Sequence, residues 1–232
     1  MLLPEPLKNL LRGGRGGTAP GGPAAPAGNG RQGHRSAETI VTTRTSRGLD
    51  QFFGNIRGQS GLTILDLGGA TQQNINFITN LGHRLYSESF LQALAETFGA
   101  ESGVEQSNPG QIEYFLKQAL EYPEAQFDGV LVWDVLEYLT PALLGAVTER
   151  LRTIVRPGGY MLAFFHSDDK LEAVPQYTFR IQDTNTLHVA QGGMRRPAQL
   201  FNNRSLEKLF SGFDSVKFFL TKERLREVIV KV

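Results

Sequence analysis

Three short, nearly unbroken apolar runs constrain this chain more than anything else in it: Thr63 to Leu67, Val130 to Trp133 and Tyr160 to Phe165. A strand wetted on one side alternates apolar and polar residues. A strand covered on both faces reads as a continuous apolar run, the pattern of a parallel sheet with helices on either side. Helical periods lie between the runs. Ile112, Phe115, Leu116, Ala119 and Leu120 fall on one helical face, with Asn108 placed as N-cap and Pro109 at the first helical position. Leu144, Val147, Leu151 and Ile154 form a second stripe behind Thr140-Pro141, and Pro157-Gly158-Gly159 predicts its end and the turn into the next strand.

The C-terminal part changes rhythm. Tyr177 to Gln182 and Thr186 to Ala190 read as a hairpin, and a helix is predicted around Leu206, Leu209 and Phe210. Two last strands, Ser215 to Leu220 and Leu225 to Val232, are joined by Thr221 to Arg224 alone. So short a link requires an antiparallel pair. Alternating βα units that end this way describe an α/β, doubly wound sheet with right-handed crossovers.

Residues 1–47 are of another kind. Gly, Pro and Ala dominate positions 13–36, leaving almost nothing large and apolar to bury, so a disordered tail over 1–47 and a folded domain over 48–232 are expected. Leu3, Leu7, Leu10 and Leu11 have helical spacing, but Pro4 and Pro6 interrupt the turn and favour a frayed terminus. No apolar core of a secretory signal is present, and no run is long enough for a transmembrane helix. The tail holds 7 basic and 2 acidic residues of the 24 and 23 in the chain. The body is therefore mildly acidic and a poor surface for nucleic acid. With no cysteine, disulfides, zinc-thiolate sites and thiol nucleophiles are excluded, and a cytoplasmic location is expected.

The chemistry-bearing stretch starts at Leu62. An apolar strand runs into Asp66-Leu67-Gly68-Gly69-Ala70, and Glu88 follows at the end of a second predicted strand, Arg84 to Ser87. Glycines at a strand end let backbone approach a ligand closely, and the next helix offers free N–H groups there. A carboxylate one βα unit later is placed to accept hydrogen bonds from ribose hydroxyls. The plain alternatives are a tight turn with Asp66 as a helix cap, and Glu88 as a surface residue at a helix N-terminus.

The chain resembles the class I S-adenosylmethionine-dependent methyltransferases of the small bacterial type. The likeness rests on Ile64-Leu65-Asp66-Leu67-Gly68, on Phe127-Asp128-Gly129-Val130-Leu131-Val132-Trp133-Asp134-Val135-Leu136-Glu137-Tyr138-Leu139, and on Val155-Arg156-Pro157-Gly158-Gly159. It implies a Rossmann-like, mostly parallel seven-stranded sheet with one antiparallel C-terminal strand. It implies S-adenosyl-L-methionine as cofactor, methyl transfer as activity, and Asp66, Gly68, Gly69, Ala70, Glu88, Trp133 and Asp134 around the cofactor. Ala70 and Gln72 stand where the family pattern has further glycines, and no adenine-binding acid can be placed between Gly99 and Gly110. Trp133 reads equally as a pocket wall and as core. Among Asp134, Glu137, Tyr138 and His166 no catalytic base is named, and His166 reads as a solvated loop histidine. The hairpin and the segment Gln191 to Phe201 form the expected lid.

The acceptor, a small molecule or a protein side chain, is not legible. A nicotinamide oxidoreductase is disfavoured because G-x-G-x-x-G is absent after the first strand, and no phosphate-binding P-loop occurs. The rival that stands is a non-catalytic binding or scaffolding module on the same fold.

Overall fold

The computed structural model describes residues 40–99, 105–168, 170–221 and 225–232. Its main sheet has six strands in the order β3-β2-β4-β5-β9-β8, where β2 is Thr63–Asp66, β3 Arg84–Ser87, β4 Phe127–Trp133, β5 Val155–His166, β8 Ser215–Leu220 and β9 Leu225–Lys231. β2 to β5 pair in parallel, and β9 runs antiparallel to both β5 and β8. A second sheet of three strands sets β7 (Thr186–Arg195) between β1 (Ile40–Thr45) and β6 (Val174–Ile181), all antiparallel.

Alternation along the buried strands sorts their side chains into two cores. Leu65, Val130, Val132, Met161 and Ala163 face one side. They meet α3 (Phe90–Phe98), α4 (Pro109–Ala119), α5 (Pro141–Ile154) and α6 (Asn203–Leu209). Ile64, Leu131, Trp133, Leu162 and Phe164 face the other side. There they meet α1 (Arg47–Ile56), α2 (Gln72–Asn80) and the inner face of the small sheet. α1 comes so close to β4 that a Cβ on Gly129 would sit 2.6 Å from Phe52 Cζ. The caps form as the sequence predicts at α4, where Asn108 Oδ1 accepts from the Gly110 and Gln111 N–H groups at 2.9 and 3.3 Å.

Two expectations are corrected. First, the folded body does not begin at residue 48. β1, Ile40–Thr45, lies within the expected tail. Ile40 to Thr45 carry three threonines and two β-branched aliphatics, a strand composition, and their ladder partner is β7, distant in sequence. Arg44 inside β1 is buried and bonds Glu227 on β9 at 2.7 Å, while Glu227 also accepts the Gly48 N–H at 2.6 Å. Residues 1–39 lie outside the described residues. Residues 40–232 keep 19 basic and 21 acidic side chains, so the body remains mildly acidic.

Second, the main sheet has six strands among the described residues, not seven. Between β3 and β4 the chain makes α3, a 3-10 turn at Glu105–Ser107 and α4. The segment 99–110 lacks the apolar β-branched run that a further strand needs. Gln106 serves instead as a bracket, donating to the Tyr138 carbonyl at 3.3 Å and accepting from the Thr140 N–H at 2.8 Å. The hairpin is also longer than its sequence signal, and much of the expected lid segment after Gln191 belongs to β7.

Candidate functional site

After β2 the chain moves outward to β3, then returns to the other side of β2 as β4. Between the carboxyl ends of β2 and β4 the order therefore reverses, and open α/β sheets bind ligands in that crevice. A pocket of about 180 Å3 lies there, with Leu67 and Gly68 on one wall and Trp133, Asp134 and Val135 on the other. Ser89 and Phe90 edge it, and Tyr177 and Phe179 of β6 cover it.

Asp66 ends β2 fully buried. Its Oδ1 accepts from the Gly68 N–H at 2.8 Å and from Trp133 Nε1 at 2.6 Å, and its Oδ2 accepts from Asn74 Nδ2 at 2.9 Å. Burial pushes the carboxyl above its ordinary pKa, against the pull of these three hydrogen bonds. Asp66 thus braces the glycine loop. Gly69 has φ +89° and its added Cβ would meet Ser89 Oγ at 3.1 Å, so the turn requires glycine there. A Cβ on Gly68 would lie 2.8 Å from Trp133 Cδ1. Ala70 is exposed, and Thr71 caps α2 by accepting from the Asn74 N–H at 3.2 Å. Gln72 bonds Asn76 at 2.7 Å along the exposed face of α2.

Trp133 has φ +56°, a left-handed conformation rare outside glycine and asparagine. Its ring is held three ways: by Asp66, by a stack on Phe179 at 5.0 Å and 10°, and by an edge contact with Phe164 at 5.6 Å. Both readings of this residue hold together, because it belongs to the core and lines the pocket. Glu88 stands half-buried just past β3, its N–H bonded to the Asp66 carbonyl at 2.8 Å and its carboxylate accepting from the Tyr122 hydroxyl. Burial and that carboxylate hold the Tyr122 phenol well above its usual range.

Asp134 follows Trp133 and is 3% exposed, with Oδ2 lacking any hydrogen-bond partner. Burial, then the charge of Glu137, pushes its pKa up to about 7, while His166 pulls the other way. His166 is not a solvated loop histidine. It is the last residue of β5, 3% exposed, and its Nδ1 and backbone N–H both bond the Glu137 carboxylate, at 2.6 and 2.8 Å. Its ring stacks on Tyr177 at 5.7 Å and 18°.

Asn74 escaped the sequence reading. Its amide donates to Asp66 and to the Phe179 carbonyl, and its Oδ1 accepts from the Ile181 N–H at 2.8 Å, tying loop, helix and hairpin together. The signal was available: a polar residue one turn before Ile78, on the buried face of α2.

No family model and no curated protein matches the chain. Among solved structures it is similar to the 1,6-didemethyltoxoflavin-N1-methyltransferase of Burkholderia thailandensis, at 14% identity over 79% of this chain and 76% of that one, TM-score 0.45. It is similar to a SAM-dependent methyltransferase of Methanosarcina mazei, at 15% identity over 75% and 93% of the two chains, TM-score 0.43. A SAM-dependent methyltransferase of Archaeoglobus fulgidus matches at 15% identity over 79% and 91%, TM-score 0.46. Among the described residues no helix is long and apolar enough to cross a membrane, and no cluster of metal-ligating side chains occurs.

Proposed function

We propose that this chain is an S-adenosylmethionine-dependent methyltransferase acting on a small molecule. The observation that carries this reading is the position of the pocket, at the switch point between Gly68 and Asp134. The polar groups around it suit the cofactor. Gly68, Gly69 and Ala70 supply the turn under its amino-acid end, braced by Asp66. Glu88, just past β3, is the carboxylate we assign to the ribose hydroxyls, and Trp133 provides a flat wall on the β4 side, next to Asp134. The cofactor supplies an electrophilic methyl group there. Alignment and exclusion of water fall to the protein, through the aromatic cover of Tyr177 and Phe179.

A pocket of about 180 Å3 is small beside the roughly 300–1,000 Å3 typical of ligand sites. The wall that gives is the side chains of Tyr177 and Phe179, because Asn74 pins the β6 backbone on either side of Arg180. The same aromatic filling favours a second reading, a binding module that keeps the fold without the chemistry.

Titration with S-adenosylhomocysteine separates the two. Saturable micromolar binding, followed by the emission of Trp133 and by calorimetry and lost in Glu88→Ala, supports the enzyme. Absence of binding at millimolar ligand in folded protein leaves the module.

A further inference from the structure

Asp134 Oδ2, His166 Nε2 and Tyr138 Oη, three buried polar atoms of groups that act on one another electrostatically through Asp134, lack partners. All three side chains are at least nine-tenths buried. Such groups are ordinarily satisfied, and an orphan in a pocket wall marks a position where something polar is meant to bind. Asp134 lines the pocket directly, as does Tyr177, against which the His166 ring is stacked. Glu137 occupies Nδ1 of His166 and the neighbouring backbone N–H, which fixes the ring and directs Nε2 away from its partner. This is a histidine oriented by a carboxylate, near a second carboxylate that accepts backbone N–H groups of its own turn and of Tyr177 yet keeps Oδ2 free, in a site walled by Trp133, Phe179 and Tyr177. No step of cofactor binding requires the Glu137–His166 pair.

We propose that Asp134 accepts the proton of a protic methyl acceptor, a phenol or comparable hydroxyl compound on a flat ring, with His166 and Glu137 as positioning residues. The proposal rests on the methyltransferase reading. In the step, the acceptor O–H breaks, its proton moves to Asp134 Oδ2, and the pair left on oxygen becomes the nucleophile. A methyl acceptor without a removable proton would need none of these groups. The groups acting on or with Asp134 are Glu137 and Tyr138 of its own turn, His166 on β5 and Tyr177 on β6; Arg195 on β7 lies 4.7 Å over the Tyr138 ring and acts on that phenol, and Arg44 on β1 acts on Tyr177. A phenol bound against Asp134 Oδ2 is expected to titrate together with it as a coupled pair.

p-Nitrophenol is the probe, because its phenolate absorbs where the phenol does not. It is titrated into the full chain with and without saturating S-adenosylhomocysteine, and the phenolate band of the bound probe is followed across pH. Two separated steps are expected in the wild type. Asp134→Asn, nearly isosteric, gives a single step. His166→Gln keeps two steps and moves the first upward by about one pH unit, a shift that a merely structural histidine would not produce. A single step in the wild type, identical curves for Asp134→Asn, or no bound probe in protein that binds S-adenosylhomocysteine overturns the proposal and leaves the cofactor reading intact. Two steps without any S-adenosylhomocysteine binding uphold the proton site and overturn the cofactor reading instead.

Discussion

Trp133 donates its indole N–H to Asp66 Oδ1 at 2.6 Å, and this bond joins the carboxyl ends of β4 and β2 directly beneath the pocket. It also explains why a tryptophan tolerates φ +56°. Left-handed backbone costs roughly 1–2 kcal/mol for a residue with Cβ, and a buried hydrogen bond to a carboxylate contributes about 1.5–3 kcal/mol. The indole bond and the stack on Phe179 together exceed the strain.

Asp66→Ala is therefore expected to destabilise the fold by about 3 kcal/mol, since it leaves the indole N–H buried without an acceptor and takes from the Asn74 amide one of its two. Asp66→Asn retains one oxygen and costs less. Urea unfolding followed by Trp133 emission measures both, and an Asp66→Ala protein as stable as wild type would refute the brace.

Asp134 sets a pH dependence. Its ordinary pKa of 3.8 rises to about 7 in the folded chain, so the native state binds this proton more tightly than the unfolded state does. The contribution to stability is full below the unfolded value and is lost as pH climbs to about 7. Between those limits stability falls by roughly 1.4 kcal/mol per pH unit. Asp134→Asn is expected to remove that slope, seen as a difference between the two proteins in urea midpoints across the window.

Gly129 and Phe52 form a coupled pair. Gly129→Ala drives a methyl to 2.6 Å from Phe52 Cζ and is expected to cost about 1–3 kcal/mol. Adding Phe52→Leu makes room and recovers part of the loss. A double-mutant cycle with no coupling would show that α1 does not lie on β4 in this way.

Glu227 holds β1 and the start of α1. Glu227→Ala strands the Arg44 guanidinium and the Gly48 N–H, both buried, at a cost of roughly 3–5 kcal/mol. Amide exchange in β1 is expected to rise first, because that strand pairs with β7 on one edge only.

Local rules determined much of this protein. Helix α4 behind Asn108-Pro109, α5 behind Thr140-Pro141, the buried strands, the hairpin and the antiparallel final pair all follow from periodicity, capping and link length, which act within a few residues. The positions of Asp66, Gly68 and Asp134 at strand ends were legible for the same reason. What only the tertiary structure decided depends on partners far away in sequence. Ile40–Thr45 becomes a strand because β7 offers it a ladder, and Gln106 is bonded to the turn after β4, 32 and 34 positions on. His166 changes from a loop residue to a buried one because Glu137, 29 positions earlier, meets its imidazole. Burial and pairing of polar groups are settled by the whole packed interior, and no local pattern records which carboxylate a histidine will meet.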